Sequence, residues 1–233
     1  MNDLDFSQPY SSRRSPLLAR NVVATSQPLA AQAGLRMLLA GGNAVDAALA
    51  AAITLPVVEP TGNGLGSDAF AIVWDGASLH GLNASGRSPA GWTPQRFAGR
   101  ETMPTRGWDS VTVPGAVSAW AALSERFGKL PFERLFEPAI GYARDGFPVS
   151  PVIATQWAWA AETFAGQPDW AACFMPGGRA PRAGELFRSE AMARSLEAIA
   201  ASRGETFYRG ELAGRLVTHA REHGGALSLD DLA

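Results

Sequence analysis

The chain holds a single cysteine, Cys173, among its 233 residues. One thiol cannot close an intrachain disulfide, so the stapled class of small secreted domains is excluded and a reducing compartment is expected. Charge is scarce as well: 18% of residues are Asp, Glu, Lys or Arg, the formal net charge is -2, and no lysine or arginine cluster forms a basic face. Such a chain lacks the electrostatic footprint of a nucleic-acid surface, so no nucleic-acid partner is expected. Nor is there a run of about 18 apolar residues free of charge and proline, which removes the expectation of a membrane-spanning helix. The first 20 residues contain Asp3, Asp5, Pro9 and Pro16 but no apolar stretch that would serve as a signal-peptide core. Arg13-Arg14 matches the opening of a twin-arginine export signal, yet the apolar residues behind it belong to elements of the fold, and the expected location is cytoplasmic.

What is present is the composition of a globular domain, with 46% hydrophobic residues, 25 glycines and 16 prolines. That is enough chain for one sizeable core. Residues 1–19 read as an irregular arm and residues 20–233 as the body. Residues 21–25 read as a short strand, after which Ser26 caps a helix whose Leu35, Leu38 and Leu39 share one face and which Gly41 ends. Asn43 caps the next helix, with Asp46 placing a carboxylate over its first turn, where unpaired amides favour negative charge. From Ala44 to Leu55 only Asp46 and Thr54 are polar, so this helix is expected to be buried on every side.

Further along, Phe70-Ala71-Ile72-Val73-Trp74 is apolar at both alternating sets of positions, the pattern of a strand covered above and below. Asp75-Gly76 turns it into a second strand over residues 78–83. Residues 110–113 read as a third strand, and Pro114-Gly115 leads into a helix over 116–127 that Gly128 closes. Helices are then expected over 136–144, 151–164, 189–202 and 211–223, with a Gly/Pro-rich loop across 166–184. The sequence stops two residues beyond Ser228-Leu229-Asp230-Asp231, which reads as the beginning of a helix, and truncation is the expectation.

Several of these segments share a resemblance. The stretch Gly41-Gly42-Asn43-Ala44-Val45-Asp46-Ala47-Ala48, continued to Val58-Glu59-Pro60 and a glycine-rich loop, resembles the large-subunit signature of the gamma-glutamyltransferase (gamma-glutamyltranspeptidase) family. So, in order, do Ala24 to Ala30, Ser110-Val111-Thr112-Val113-Pro114-Gly115, Leu130-Pro131 with Glu137-Pro138-Ala139, and Gly146 to Ser150. Phe207-Tyr208-Arg209-Gly210, and Gly224-Gly225 through Asp230-Asp231-Leu232, resemble the late large-subunit motif.

The resemblance implies an α+β fold, the N-terminal-nucleophile hydrolase-like four-layer αββα sandwich, incomplete in this chain. It implies an enzyme that hydrolyses or transfers gamma-glutamyl groups of glutathione-type amides through a threonine whose own amine is the base. That threonine lies beyond residue 233 of the pattern, so no catalytic residue is expected here and the chain alone is expected to be inactive. The partner implied is the small subunit, or missing C-terminal segment, of the same precursor. No cofactor and no metal are expected. A non-catalytic binding or assembly module, or a related amide acylase of different acyl specificity, stands as the alternative.

One departure bears on specificity. The family's large subunit contributes an arginine that grips the substrate alpha-carboxylate, and in the ungapped match its place falls on Ser85, with Arg87 two residues later. A guanidinium forks two charge-assisted bonds to a carboxylate, each worth about 1.5 to 3 kcal/mol, and a serine hydroxyl does not replace the charge. Either Arg87 reaches the site, or the substrate is not a standard gamma-glutamyl compound; the plain alternatives are a surface arginine and a Ser85 bonded to its own turn. Asp68, beside Gly62, Gly64 and Gly66, would repel a substrate carboxylate if it faced the cleft. Those glycines follow a helix rather than a strand, which argues against a phosphate loop.

His219-Ala220-Arg221-Glu222-His223 matches the inverted zinc-protease pattern, but no acidic residue lies far enough downstream to be the usual third ligand. The pair reads instead as cationic side chains meeting a helix C-terminus. Cys173 reads as a packed thiol, and Trp157, Trp159 and Trp170 as core or interface anchors.

Overall fold

A computed structural model describes residues 16–233, and the arm read over residues 1–19 lies largely outside that range, as does Arg13-Arg14. Its first two helices form an antiparallel pair, α1 (Pro28–Leu39) and α2 (Ala44–Val58). Residues 22–25 are not a strand: no neighbour pairs with them among the described residues, and their backbone passes unladdered into α1. The cap of α1 is Gln27, not Ser26. The Gln27 side-chain oxygen Oε1 accepts from the Leu29 and Ala30 amides, while the Ser26 hydroxyl donates to Glu59 at 2.7 Å.

Asn43 and Asp46 close a capping box on α2. Asp46, which has no exposed surface, does more, because its carboxylate also accepts the Lys129 and Leu130 amides at 3.0 to 3.3 Å. Asn43 Nδ2 donates to Phe127 O at 2.6 Å, so the first turn of α2 holds the exit of α3 (Ala116–Phe127). Leu49, Ala50, Ile53, Val57 and Val58 then carry α2 through the main core, with Ala44 and Ala48 left exposed.

Against α2 pack a 3₁₀ turn at Phe132–Phe136 and α4 (Glu137–Asp145), and α7 (Glu190–Ala201) packs in turn on both of these. Phe132, Leu135, Phe136, Leu196 and Ile199 are buried in the same cluster. Helix α5 (Pro151–Thr163) adds Trp157, almost fully buried with its indole N–H donating to Phe174 O at 3.1 Å. Trp159 is exposed, and Trp170 lies half-buried between Phe164 and Phe174. The segment 166–184 contains a short helix, α6 (Pro168–Phe174), in which Cys173 is exposed rather than packed. Then come α8 (Glu205–Arg209), α9 (Glu211–Glu222) and α10 (Leu229–Leu232). No helix of the described residues is long and apolar enough to cross a membrane.

Two small sheets complete the α+β fold. Strands β1 (Ala69–Trp74) and β2 (Leu79–Ala84) form the hairpin that Asp75-Gly76 signals, with Trp74 opposite Leu79. Asp75 Oδ1 accepts the Ala77 and Ser78 amides, and the His80 ring holds the carboxyl well below the usual carboxylate range. Only one face of the hairpin is covered among the described residues. Ala71, Val73 and Leu82 pack on the core, whereas Phe70, Ile72, Trp74 and Leu79 are exposed, so the two-sided cover expected of β1 is not supplied by the described residues. Strands β3 (Phe147–Pro148) and β4 (Leu186–Phe187) form a second, minimal pair.

Candidate functional site

Segments far apart in sequence converge at the end of the hairpin. Residues 85–87 leave β2 and lie against residues 111–115, an extended run that follows a 3₁₀ turn at Trp108–Ser110, and the strand expected over 110–113 is not formed. Their pairing is too sparse for a ladder. The Val113 amide donates to Arg87 O at 2.9 Å, and the Thr112 hydroxyl to Ser85 O at 3.2 Å. The approach is backbone to backbone: a Cβ on Gly86, whose φ is 75°, would stand 1.8 Å from Val113 O, and one on Gly115 would stand 1.9 Å from Ala84 O. Only glycine fits either place.

The glycine-rich loop joins through Ser67, whose carbonyl accepts the Gly115 and Ala116 amides at 3.2 and 2.8 Å. From the late motif, Tyr208 donates its hydroxyl to Pro114 O at 2.8 Å and accepts the Ser118 amide at 3.0 Å. Burial pushes the Tyr208 phenol above its ordinary value. Asp231 closes the ring. One carboxylate oxygen accepts the Ala90 amide at 2.8 Å and the other accepts the Ser228 amide and hydroxyl at 2.9 and 2.7 Å. Burial raises the Asp231 carboxyl, but those donors and the nearby Arg87 charge outweigh it, and the net shift is downward.

These segments enclose an open hollow of about 610 Å³, lined by Arg87, Pro114, Ser118, Tyr208, Asp231 and others. Arg87 Nη2 donates to Asp230 O and Asp231 O at 3.2 and 3.1 Å, so its cation meets the C-terminal carbonyls of α10. Its Nε and Nη1 make no hydrogen bond among the described residues, and the guanidinium keeps donors for a ligand. Ser85 is half-buried behind the lining, bonded through its backbone amide to Asn83 Oδ1 at 3.0 Å. Asp68 is exposed and does not line the hollow.

The hydroxyls there are occupied: Tyr208 donates to Pro114 O, and Ser118 donates to Gly115 O at 2.8 Å. The arrangement thus offers a cation and backbone edges for binding, with both hydroxyls engaged on backbone carbonyls. Sequence reasoning gave Tyr208 and Asp231 no role of their own, although both stand inside quoted motifs. Their partners at positions 90, 114 and 118 are 90 and 94 residues away for Tyr208 and 141 away for Asp231, separations that no local pattern reports.

Comparison with known proteins places this geometry. The family model described as Gamma-glutamyltranspeptidase matches residues 30–233. The chain is 38% identical over 221 residues to the glutathione hydrolase-like YwrD proenzyme of Bacillus subtilis, covering 94% of this chain and 42% of that protein. It superposes on the crystal structure of a cephalosporin acylase from Bacillus halodurans with a TM-score of 0.87 and 47% identity, over 97% of this chain and 45% of that one. For Helicobacter pylori gamma-glutamyltranspeptidase the TM-score is 0.88 and the identity 26%, over 94% of this chain and 65% of the other. The chain thus spans less than half the length of the first two proteins and 65% of the third.

Proposed function

The chain belongs to the gamma-glutamyltranspeptidase family, and from that premise we propose that it is the N-terminal part of an enzyme that cleaves or transfers gamma-glutamyl amides. The observation that carries this is the hollow itself: the family's motif segments meet there and present Arg87. In the proposed division of labour this chain binds the acyl group. The attacking threonine belongs to the remainder of the protein, which acts as the partner segment, and the location is cytoplasmic.

Arg87 takes the place of the missing arginine at position 85. Its Nε and Nη1 grip the alpha-carboxylate while Nη2 stays on the α10 carbonyls. Support for the assignment comes from the lining, which includes Arg87 and not Ser85. A second reading, an amide acylase with different acyl specificity, is favoured by the serine at position 85 together with the 47% identity to the cephalosporin acylase structure.

The two readings separate on a pair of chromogenic anilides given to the full-length protein. The gamma-glutamyl anilide carries an alpha-amine beside its carboxylate, and the glutaryl anilide keeps the amide and the carboxylate but lacks the amine. Faster release from the first supports the gamma-glutamyl reading, faster release from the second supports the acylase, and release from neither overturns both. With the gamma-glutamyl anilide, Arg87→Ala is expected to raise KM by about tenfold or more, and Ser85→Ala far less. Because Arg87 also meets α10, the melting temperature of each variant is measured alongside. Equal, small effects on KM from both substitutions would remove the clamp.

A further inference from the structure

One cluster outside the hollow gathers ligand atoms that no family role explains. On α9, His219 and His223 are four residues apart, so their rings share a face, stacked at 4.0 Å between centroids and 17° from parallel. The third ligand that the sequence lacks downstream arrives from upstream, because α6 sets Asp169 against that face. Nε2 of each histidine lies 3.6 Å from Asp169 Oδ2, and the three ligand atoms all fall within 4.8 Å of one another. A separation of 3.6 Å is too long for a hydrogen bond. It is close to the roughly 3.3 Å between two ligands of a tetrahedral ion whose bonds are about 2.0 Å.

We propose that Asp169, His219 and His223 bind one divalent transition-metal ion of the zinc, nickel or copper class, tying α6 to α9. Two imidazoles and one carboxylate suit these ions, whereas magnesium and calcium demand shells of oxygen. The tautomers are already biased. His223 Nδ1 donates to His219 O at 2.9 Å, which leaves its Nε2 lone pair turned toward Asp169, the outer-shell arrangement that orients a metal-ligating histidine. His219 is set the other way, since its Nδ1 accepts the Trp108 indole N–H at 3.1 Å and its ring proton therefore sits on Nε2. Metal binding moves that proton to Nδ1, with no net loss from the ring, and Trp108 must release its bond. The remaining coordination position faces a hollow of about 650 Å³ lined by Trp108, Phe164 and Trp170, where water completes the shell.

The test is calorimetric titration of the tag-free, full-length protein with zinc chloride, with magnesium chloride as the control. One zinc per chain in the micromolar range is expected, with a change in tryptophan fluorescence as Trp108 lets go. Asp169→Asn and His223→Ala should each weaken binding at least about tenfold, the scale on which even outer-shell partners act. Trp108→Phe should tighten it by about two- to tenfold, because a competing hydrogen bond is removed. All three ligands are exposed, so circular dichroism of the variants should match the parent. The absence of stoichiometric zinc, an unchanged affinity in Asp169→Asn, or equal binding of magnesium overturns the proposal.

Discussion

Asp46 shows how much one buried side chain can hold. Its two oxygens accept the Asn43, Lys129 and Leu130 amides, part-buried bonds gathered on a carboxylate that has no exposed surface itself. A buried donor left unpaired costs about 1–3 kcal/mol and a part-buried one less, so Asp46→Ala, which strands three part-buried amides, is expected to lower stability by about 2 kcal/mol or more. Asp46→Asn, which keeps acceptor capacity on one oxygen, should cost less; chemical denaturation of both variants measures the difference, and a loss under about 1 kcal/mol for the alanine variant would contradict the account. The capping role of Asp46 was legible in the sequence, since Asn43 stands three residues before it. Its grip on residues 129 and 130 was not, because nothing local encodes a contact across 83 residues. Arg87 divides the same way: the motif singled it out, but only the fold revealed that part of its guanidinium is spent on α10.

Among elements, the turn that follows β2 offers a controlled comparison. Gly76 and Gly86 both have positive φ, 99° and 75°, but an added Cβ meets open space at Gly76 and the Val113 carbonyl at Gly86. Gly76→Ala therefore pays only the left-handed backbone term, about 1–2 kcal/mol. Gly86→Ala adds a backbone clash that must push residues 85–87 off residues 111–115 and so open the hollow. Denaturant midpoints should rank parent, Gly76→Ala, Gly86→Ala in falling order, and equal midpoints for the two variants would show that the close approach is not real. The hairpin was readable because Asp75-Gly76 and β-rich flanks act within a few residues. The strand expected over residues 110–113 was not formed, since a strand exists only where a neighbour offers a ladder, and its neighbours here are a loop and a turn.

At the scale of the whole molecule, the exposed apolar face of β1 and β2 is the feature that connects fold to assembly. Phe70, Ile72, Trp74 and Leu79 lie together on one surface, and the chain spans only part of the relatives it matches. We propose that the remainder of the protein covers that face, as a stacked-sheet architecture would require. Ile72→Lys is then expected to destabilise the full-length protein by burying an unpaired charge, yet to leave the isolated chain no less stable and more soluble. Equal effects in both contexts, read by thermal melts and light scattering, would mean that the face stays open. The amino-acid sequence alone determined the longer helices, the Asn43 cap of α2, the hairpin and the family, because those depend on period, turn chemistry and motif order within short windows. Only the tertiary structure decided that one face of the hairpin stays bare, that Arg87 and not Ser85 lines the hollow, and that Asp169 meets two histidines 50 and 54 residues away. These are contacts between distant segments, fixed by how the elements pack around α2, and no local pattern carries them.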